Sequence, residues 1–272
     1  MIATRMRRWA PLAFFAAVWS TTPAPAQSAA AWDGRSELRL IAGARRGEEL
    51  RAGVELRLAP GWKTYWRYPG DAGVPPRFDF ARSTNVKSVT VLWPAPQRMS
   101  EEVGQSIGYK DVVIFPLRVA PQDPARPVTL RLNLDYAVCE KLCVPAEGSA
   151  ELVLDGAPAH EVALAAAEAR VPRPAAVGDQ AAFAIRAVRR EGERVVVDVA
   201  APPGANVDLF AEGPTPEWAL PLPSPMADAP APLRRFAFAL DGLPAGARAD
   251  GATLTLTATA GEAAIEVKAR LD

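Results

Sequence analysis

The stretch Val128–Leu154, VTLRLNLDYAVCEKLCVPAEGSAELVL, carries the clearest structural signal in the chain. Val128, Leu130, Leu132, Leu134, Tyr136 and Val138 are apolar, and mostly polar residues separate them. That period of two is the mark of a strand with one face in a core. Leu152 and Leu154 resume the pattern after a short break, so the stretch reads as two strands. Working outward, Leu38/Leu40, Val54/Leu56/Leu58 and Val89/Val91 repeat the alternation before it. Beyond it come Phe183/Ile185, Val195/Val197/Val199, Val207/Leu209, Phe236/Phe238/Leu240, Leu254/Leu256 and Ile265/Val267. Ala159–Arg170 alone reads as a helix, rich in Ala and Glu and stopped by Pro172. The Pro- and Ala-rich run 172–176 then reads as a linker. The expected architecture is all-β, two sandwiches joined by a short helix and linker. The expected boundaries are 33–156 for the first sandwich, 157–177 for helix and linker, and 178–272 for the second.

Composition narrows the function. The 272 residues include 27 Pro and 19 Gly, which suits many turns and short strands. The 31 basic and 31 acidic residues cancel, so no concentrated basic surface for nucleic acid is expected. The single histidine, His160, argues against a His-based metal cluster or catalytic triad. Residues 1–26 read as a cleaved signal peptide. Arg5, Arg7 and Arg8 form its basic start, Trp9–Trp19 is mostly apolar, and Ala24-Pro25-Ala26 resembles a cleavage site. With no cysteine beside that site a lipid anchor is not expected, and the apolar run is too short to span a bilayer.

Export gives meaning to the only two cysteines, Cys139 and Cys143. In an oxidising compartment the pair often rests as a disulfide. If the strand continues to position 139, Cys139 falls on the exposed face, opposite the even-numbered core residues. A structural staple and an active pair are both open readings. Closing a loop of about five residues contributes only about 2 kcal/mol in the chain-entropy model, against nearly 5 for about a hundred. Lys141 favours a thiolate and Glu140 opposes it, so local charge does not choose. Two thiolates can also hold Cu(I), with Met99 as a candidate helper, whereas zinc needs more ligands. No resident metal or other cofactor is assigned.

Four motifs in order resemble one family. They are Pro60–Pro76 (PGWKTYWRYPGDAGVPP), Val91–Pro96 (VLWPAP), Gly108–Asp111 (GYKD) and Cys139–Pro145 (CEKLCVP). Over about residues 35 to 155 the chain resembles the amino-terminal periplasmic domain of the thiol:disulfide interchange protein DsbD, closest to the ScsB-like branch. The second half has only a general similarity to the extra β-domain of that branch. The resemblance implies an immunoglobulin-like fold, a periplasmic location and a catalytic pair, with Cys143 attacking and Cys139 resolving. It implies a membrane-embedded DsbD- or CcdA-like electron donor, or a thioredoxin-like protein, and oxidised periplasmic thiol proteins as acceptors. Because the chain ends at Asp272 without such a conduit, the donor is expected to be a separate protein. The copper tolerance associated with the ScsB-like branch keeps Cu(I) at Cys139 and Cys143 as the alternative, beside a non-enzymatic binding protein with a structural disulfide.

The family shields its cysteines with a cap loop, and Ser100–Gly104 takes that place here. Glu101, Glu102 and Val103 are its candidates, with Val103 where the family has phenylalanine; Tyr109 follows in the next motif. Trp62, Tyr65, Trp66 and Tyr68 lie close together and are candidates for a partner groove beside the cysteines, or else for the sandwich core.

Overall fold

The computed structural model describes residues 31–70, 73–100, 104–227, 229 and 232–272. The signal peptide expected at residues 1–26 and the cap-loop candidates Glu101, Glu102 and Val103 lie outside them. In chain order the first sandwich is built from β1 (Ala31–Trp32), β2 (Ser36–Arg46), β3 (Glu49–Leu58), β4 (Lys63–Gly70) and β5 (Arg77–Asp79). It continues with β6 (Val86–Val91), β7 (Gln97–Ser100), β8 (Gln105–Lys110), β9 (Val112–Pro121), β10 (Val128–Cys139) and β11 (Cys143–Leu154). One sheet runs β1-β2-β3-β9-β6; the other runs β11-β10-β4-β8-β7, with β5 also on β10.

The alternation in β10 does what its period dictates. Val128, Leu130, Leu132, Leu134, Tyr136 and Val138 all point into the core, facing Leu38, Leu40, Val54, Leu56, Phe115 and Leu117 from the opposite sheet. Each such side chain contributes roughly 1.5–3 kcal/mol on burial. The β10–β11 ladder is unbroken from Val128↔Leu154 to Cys139↔Cys143. The result is an all-β, immunoglobulin-like sandwich.

The helix α1 (Glu161–Ala169) lies against β2 and β9 of the first sandwich. Nine residues are too few for a stable isolated helix, so packing must hold it. Leu164 fills a dent left by two glycines: a Cβ on Gly43 or Gly53 would stand 2.6 or 2.8 Å from its methyls. Arg51, with its side chain only 6% exposed, fastens both ends through Glu161 at 2.5 Å and Glu168 at 2.7 Å. The single histidine, His160, precedes the helix and donates its backbone N–H to Ala42 O. Part of the expected linker is strand: β12 (Arg173–Pro174) pairs in parallel with β19 (Ala263–Arg270).

The second sandwich continues with β13 (Ala184–Glu191), β14 (Arg194–Ala200), β15 (Val207–Glu212), β16 (Ser224–Met226), β17 (Leu233–Ala239) and β18 (Thr253–Ala260). Its sheets run β12-β19-β18-β15 and β13-β14-β17-β16. The alternating residues Val195, Val197, Val199, Phe236, Phe238, Leu254, Leu256, Ile265 and Val267 form its core. Phe210, on the face of β15 opposite Leu209 and Ala211, is buried in the core of the first sandwich. Arg98 of β7 crosses the same junction to Asp208 at 2.7 Å and to the carbonyls of Leu209 and Pro223. Among the described residues no helix is long and apolar enough to cross a membrane.

Asp198 is a buried charged group of the second sandwich. It is 4% exposed and accepts from Arg235 at 2.7 Å, with Arg189 at 2.8 Å. The hydrogen bond from Arg235, with that from Arg189, holds its carboxyl below the usual range despite burial. A depressed carboxyl stabilises the fold above its unfolded pKa and stops doing so as pH falls through the folded one. Asp198→Asn should cost about 1–3 kcal/mol at pH 7. Urea unfolding followed by fluorescence of the buried Trp218 should show that difference shrinking below about pH 4.

Candidate functional site

The sulfur pair sits where the β10–β11 hairpin turns. Cys139 and Cys143 are direct cross-strand partners, their Cα atoms 4.1 Å apart, and they form a disulfide. Cross-strand partners point to the same face of a sheet, which is why the sulfurs meet across Glu140-Lys141-Leu142. That face is the one away from the core, as the period of β10 requires.

Cys139 is nevertheless 1% exposed, against the expectation that this face would be open. The cause is Tyr65. Lys63 of β4 is in register with Cys139, so Tyr65, two residues on, lies on the same face. Its ring covers Ala137 and Cys139, forming a small second core on the outer side of the sheet. Gly73 presses on that ring: a Cβ there would fall 2.6 Å from it. Cys143, one strand further out, is exposed, and Leu142 at the hairpin tip is 79% exposed. The pair is therefore asymmetric, with one sulfur sealed and the other open.

The Tyr65 hydroxyl is 2.7 Å from Cys139 Sγ and 2.9 Å from Cys143 Sγ. A disulfide carries no proton, so the tyrosine O–H is the donor to both. Beneath it the strands are drawn close. Thr64 donates its hydroxyl to Ala137 O, and Gly108 passes so near β4 that a Cβ would stand 2.0 Å from Thr64 O. That approach accounts for the glycine of the Gly108-Tyr109 motif.

Of the clustered aromatics, only Tyr65 reaches the sulfurs among the contacts described. Trp62 is half-buried on the core with Arg35 over its ring. Trp66 is completely buried and meets Phe210 edge to face at 5.8 Å, because alternation turns it to the core side of β4. Tyr68 is half-buried and donates its hydroxyl to Leu220 O at 2.6 Å. Among the contacts described these four side chains do not share one groove; Trp66 and Tyr68 face the second sandwich. Tyr109 is buried too, packed edge to face on Phe115 and donating to Pro94 O. Burial pushes its phenol pKa up, and its place is in the core rather than at a partner surface.

A cleft of about 730 Å³ opens elsewhere, lined by Arg51, Arg118, Glu168, Arg173 and Glu266 among others, and contains neither cysteine. The sulfurs stand at the turn of the β10–β11 hairpin with Cys143 exposed, a form suited to a protein partner rather than to an enclosed small molecule. Among the described residues no group of three or more His, Cys, Asp or Glu could hold a metal ion. Copper would have to use the two sulfurs after reduction, with Met99 buried in β7.

An immunoglobulin-like sandwich carrying a cross-strand disulfide with one open sulfur has the form of a thiol:disulfide exchange module. The comparisons agree. Residues 37–155 match the family model described as thiol:disulfide interchange protein DsbD, N-terminal. The N-terminal periplasmic domain of ScsB from Proteus mirabilis has the same fold, with a TM-score of 0.74 at 20% identity. The likeness covers 91% of this chain and 99% of that one, so it runs through both sandwiches. A comparison with curated protein sequences finds no match.

Sequence reasoning named Tyr65 only as one aromatic among four. Its spacing of two from Lys63 was the available signal, but the register that sets Lys63 beside Cys139 is a tertiary fact. The asymmetry generates a test. In the reduced protein, iodoacetamide should modify Cys143 at least about tenfold faster than Cys139, because access limits the buried thiol. Peptide mass mapping at short times would show equal labelling if the two sulfurs were equally accessible.

Proposed function

We propose that this chain is an exported periplasmic module that takes two electrons from a membrane-embedded or thioredoxin-like donor. It passes them through Cys139 and Cys143 to oxidised periplasmic thiol proteins. The observation that carries this reading is the sealed-and-open geometry of the disulfide, with one hydroxyl on both sulfurs. The periplasmic location of the ScsB relative supports the compartment.

The steps balance as two exchanges in each direction. A donor thiolate attacks Cys143 Sγ, the sulfur within its reach. The Cys139–Cys143 bond breaks and its electron pair leaves on Cys139 Sγ. There the Tyr65 O–H donates to the new thiolate. The donor's second thiolate then attacks its own sulfur in the mixed disulfide. Cys143 is released as a thiolate, and the donor departs oxidised. Toward an oxidised target, Cys143 attacks one target sulfur and expels the other as a thiolate. Cys139 then attacks Cys143 Sγ, restores the internal disulfide and frees the reduced target. A buried Cys139 suits resolution because a large partner cannot compete for it.

Leu142, beside the open sulfur, gives the partner an apolar contact. The test is trapping in cells. Cys139→Ala should accumulate a mixed disulfide through Cys143, visible on non-reducing gels and lost with dithiothreitol. Cys143→Ala should accumulate about tenfold less, since Cys139 is covered. A native disulfide that resists physiological reductants would overturn the proposal and leave a structural staple.

A further inference from the structure

β4 has two jobs that fall on adjacent residues. Tyr65 covers and hydrogen-bonds the sulfurs, whereas Trp66, Arg67 and Tyr68 reach the second sandwich. The pairing of β4 with β8 runs through Lys63, Thr64 and Tyr65, then shifts register and resumes only at Gly70. With β10, β4 has the single register pair Lys63↔Cys139. The sheet thus grips the strand up to Tyr65, and the ladder is interrupted immediately after it.

Across that interruption the second sandwich supplies the hold. Arg67 forms a two-pronged pair with Glu212 of β15, at 2.8 and 2.7 Å, and a third contact with Glu266 of β19 at 2.5 Å. The guanidinium also lies 4.4 Å from the centroid of the Trp66 ring. Two carboxylates hold Arg67 charged against the opposing effect of burial. On one side Phe210 supports Trp66, and on the other Leu220 O accepts from Tyr68. A planar guanidinium held by two carboxylates from different strands fixes position and angle together.

We propose that the second sandwich is part of the exchange machinery: through Arg67, Glu212 and Glu266 it positions Tyr65 against the sulfurs of Cys139 and Cys143. Arg67, Glu212 and Glu266 are positioning residues, since they act through β4 and touch no sulfur in the contacts described. The inference rests on the exchange reading above and gives the second sandwich a role in it. Loosening the clamp lets β4 shift beyond Tyr65, and an O–H donor displaced by a few tenths of an ångström weakens its hydrogen bond to a thiolate.

The experiment uses the full chain, with Tyr65→Phe as reference and the double change Glu212→Gln/Glu266→Gln as the probe. Two quantities are read: the pH profile of Cys143 alkylation in the reduced protein, and the rate of exchange with glutathione disulfide. Tyr65→Phe should move the alkylation profile to higher pH and slow reaction at pH 7 about tenfold, the loss of a hydrogen bond to a charged sulfur. The double glutamine variant should move it the same way, by about threefold, and add nothing in the Tyr65→Phe background. Tyr68→Phe removes one hydrogen bond and serves if the double variant does not fold; a shift in the same direction is expected.

A folded double variant with a wild-type pH profile would overturn the positioning role. So would equal effects with and without Tyr65, which would mark a general loss of stability. If the wild-type pair exchanges with glutathione while only the clamp variants behave as wild type, the exchange reading stands and this inference alone fails. If the wild-type pair does not exchange at all, both fall.

Discussion

The register of the β10–β11 hairpin is the constraint on which the site depends. A strand shows alternate residues to opposite faces, so slipping the pairing by one would send Val128–Val138 out of the core. The deep core on the even side therefore fixes the odd side as well, and with it the place of Cys139. Once Cys139 is placed, an antiparallel turn of three residues makes Cys143 its direct partner. The disulfide is a consequence of the ladder rather than its cause. Eleven cross-strand pairs precede the sulfur pair along these two strands, enough to hold register without it.

Covering one sulfur takes a second element on the outer face, and β4 supplies it. Its alternation is divided: Thr64 and Trp66 enter the core, while Lys63 and Tyr65 lie beside Cys139. A single residue thus seals the inner sulfur and brings a proton donor to both. Burial by itself raises the cost of a thiolate on Cys139, because charge is disfavoured where water is excluded. The Tyr65 O–H offsets that cost at the atom where charge would form. Without it, sealing Cys139 would make it a poor leaving group and a poor resolving nucleophile.

Much of the fold was legible from alternation alone. The even-numbered residues of β10 and the valines of β14 went where their period sends them, and the helix stopped before Pro172. The site was less legible. Motifs brought Cys139 and Cys143 to the front, and hairpin spacing made their pairing plausible. But alternation by itself put Cys139 in solvent, because one strand's period says nothing of what lies over its far face. The aromatic cluster misled for a related reason. Proximity in sequence suggested one groove, whereas strand geometry and the break in β4 pairing sent Trp62, Tyr65, Trp66 and Tyr68 to different surroundings. Phe210 shows the same limit. It stands out of phase with Val207, Leu209 and Ala211, on the outer face of β15, and only docking gives that face a core to enter.

These points bear on the choice between a staple and a working pair. A bond closing so short a loop constrains the unfolded chain by only about 2 kcal/mol. The hairpin around it already has a continuous ladder and a core of several large aliphatic side chains. Breaking the bond should therefore leave β10 and β11 in place, with Tyr65 still over Cys139. A carrier of electrons needs that property: the oxidised and reduced forms must share one scaffold, so that little reorganisation accompanies each exchange. A stapling disulfide is placed where its loss would be felt. This one lies at the open end of a self-sufficient hairpin, with its accessible sulfur turned outward, where reduction disturbs least and a partner reaches most easily.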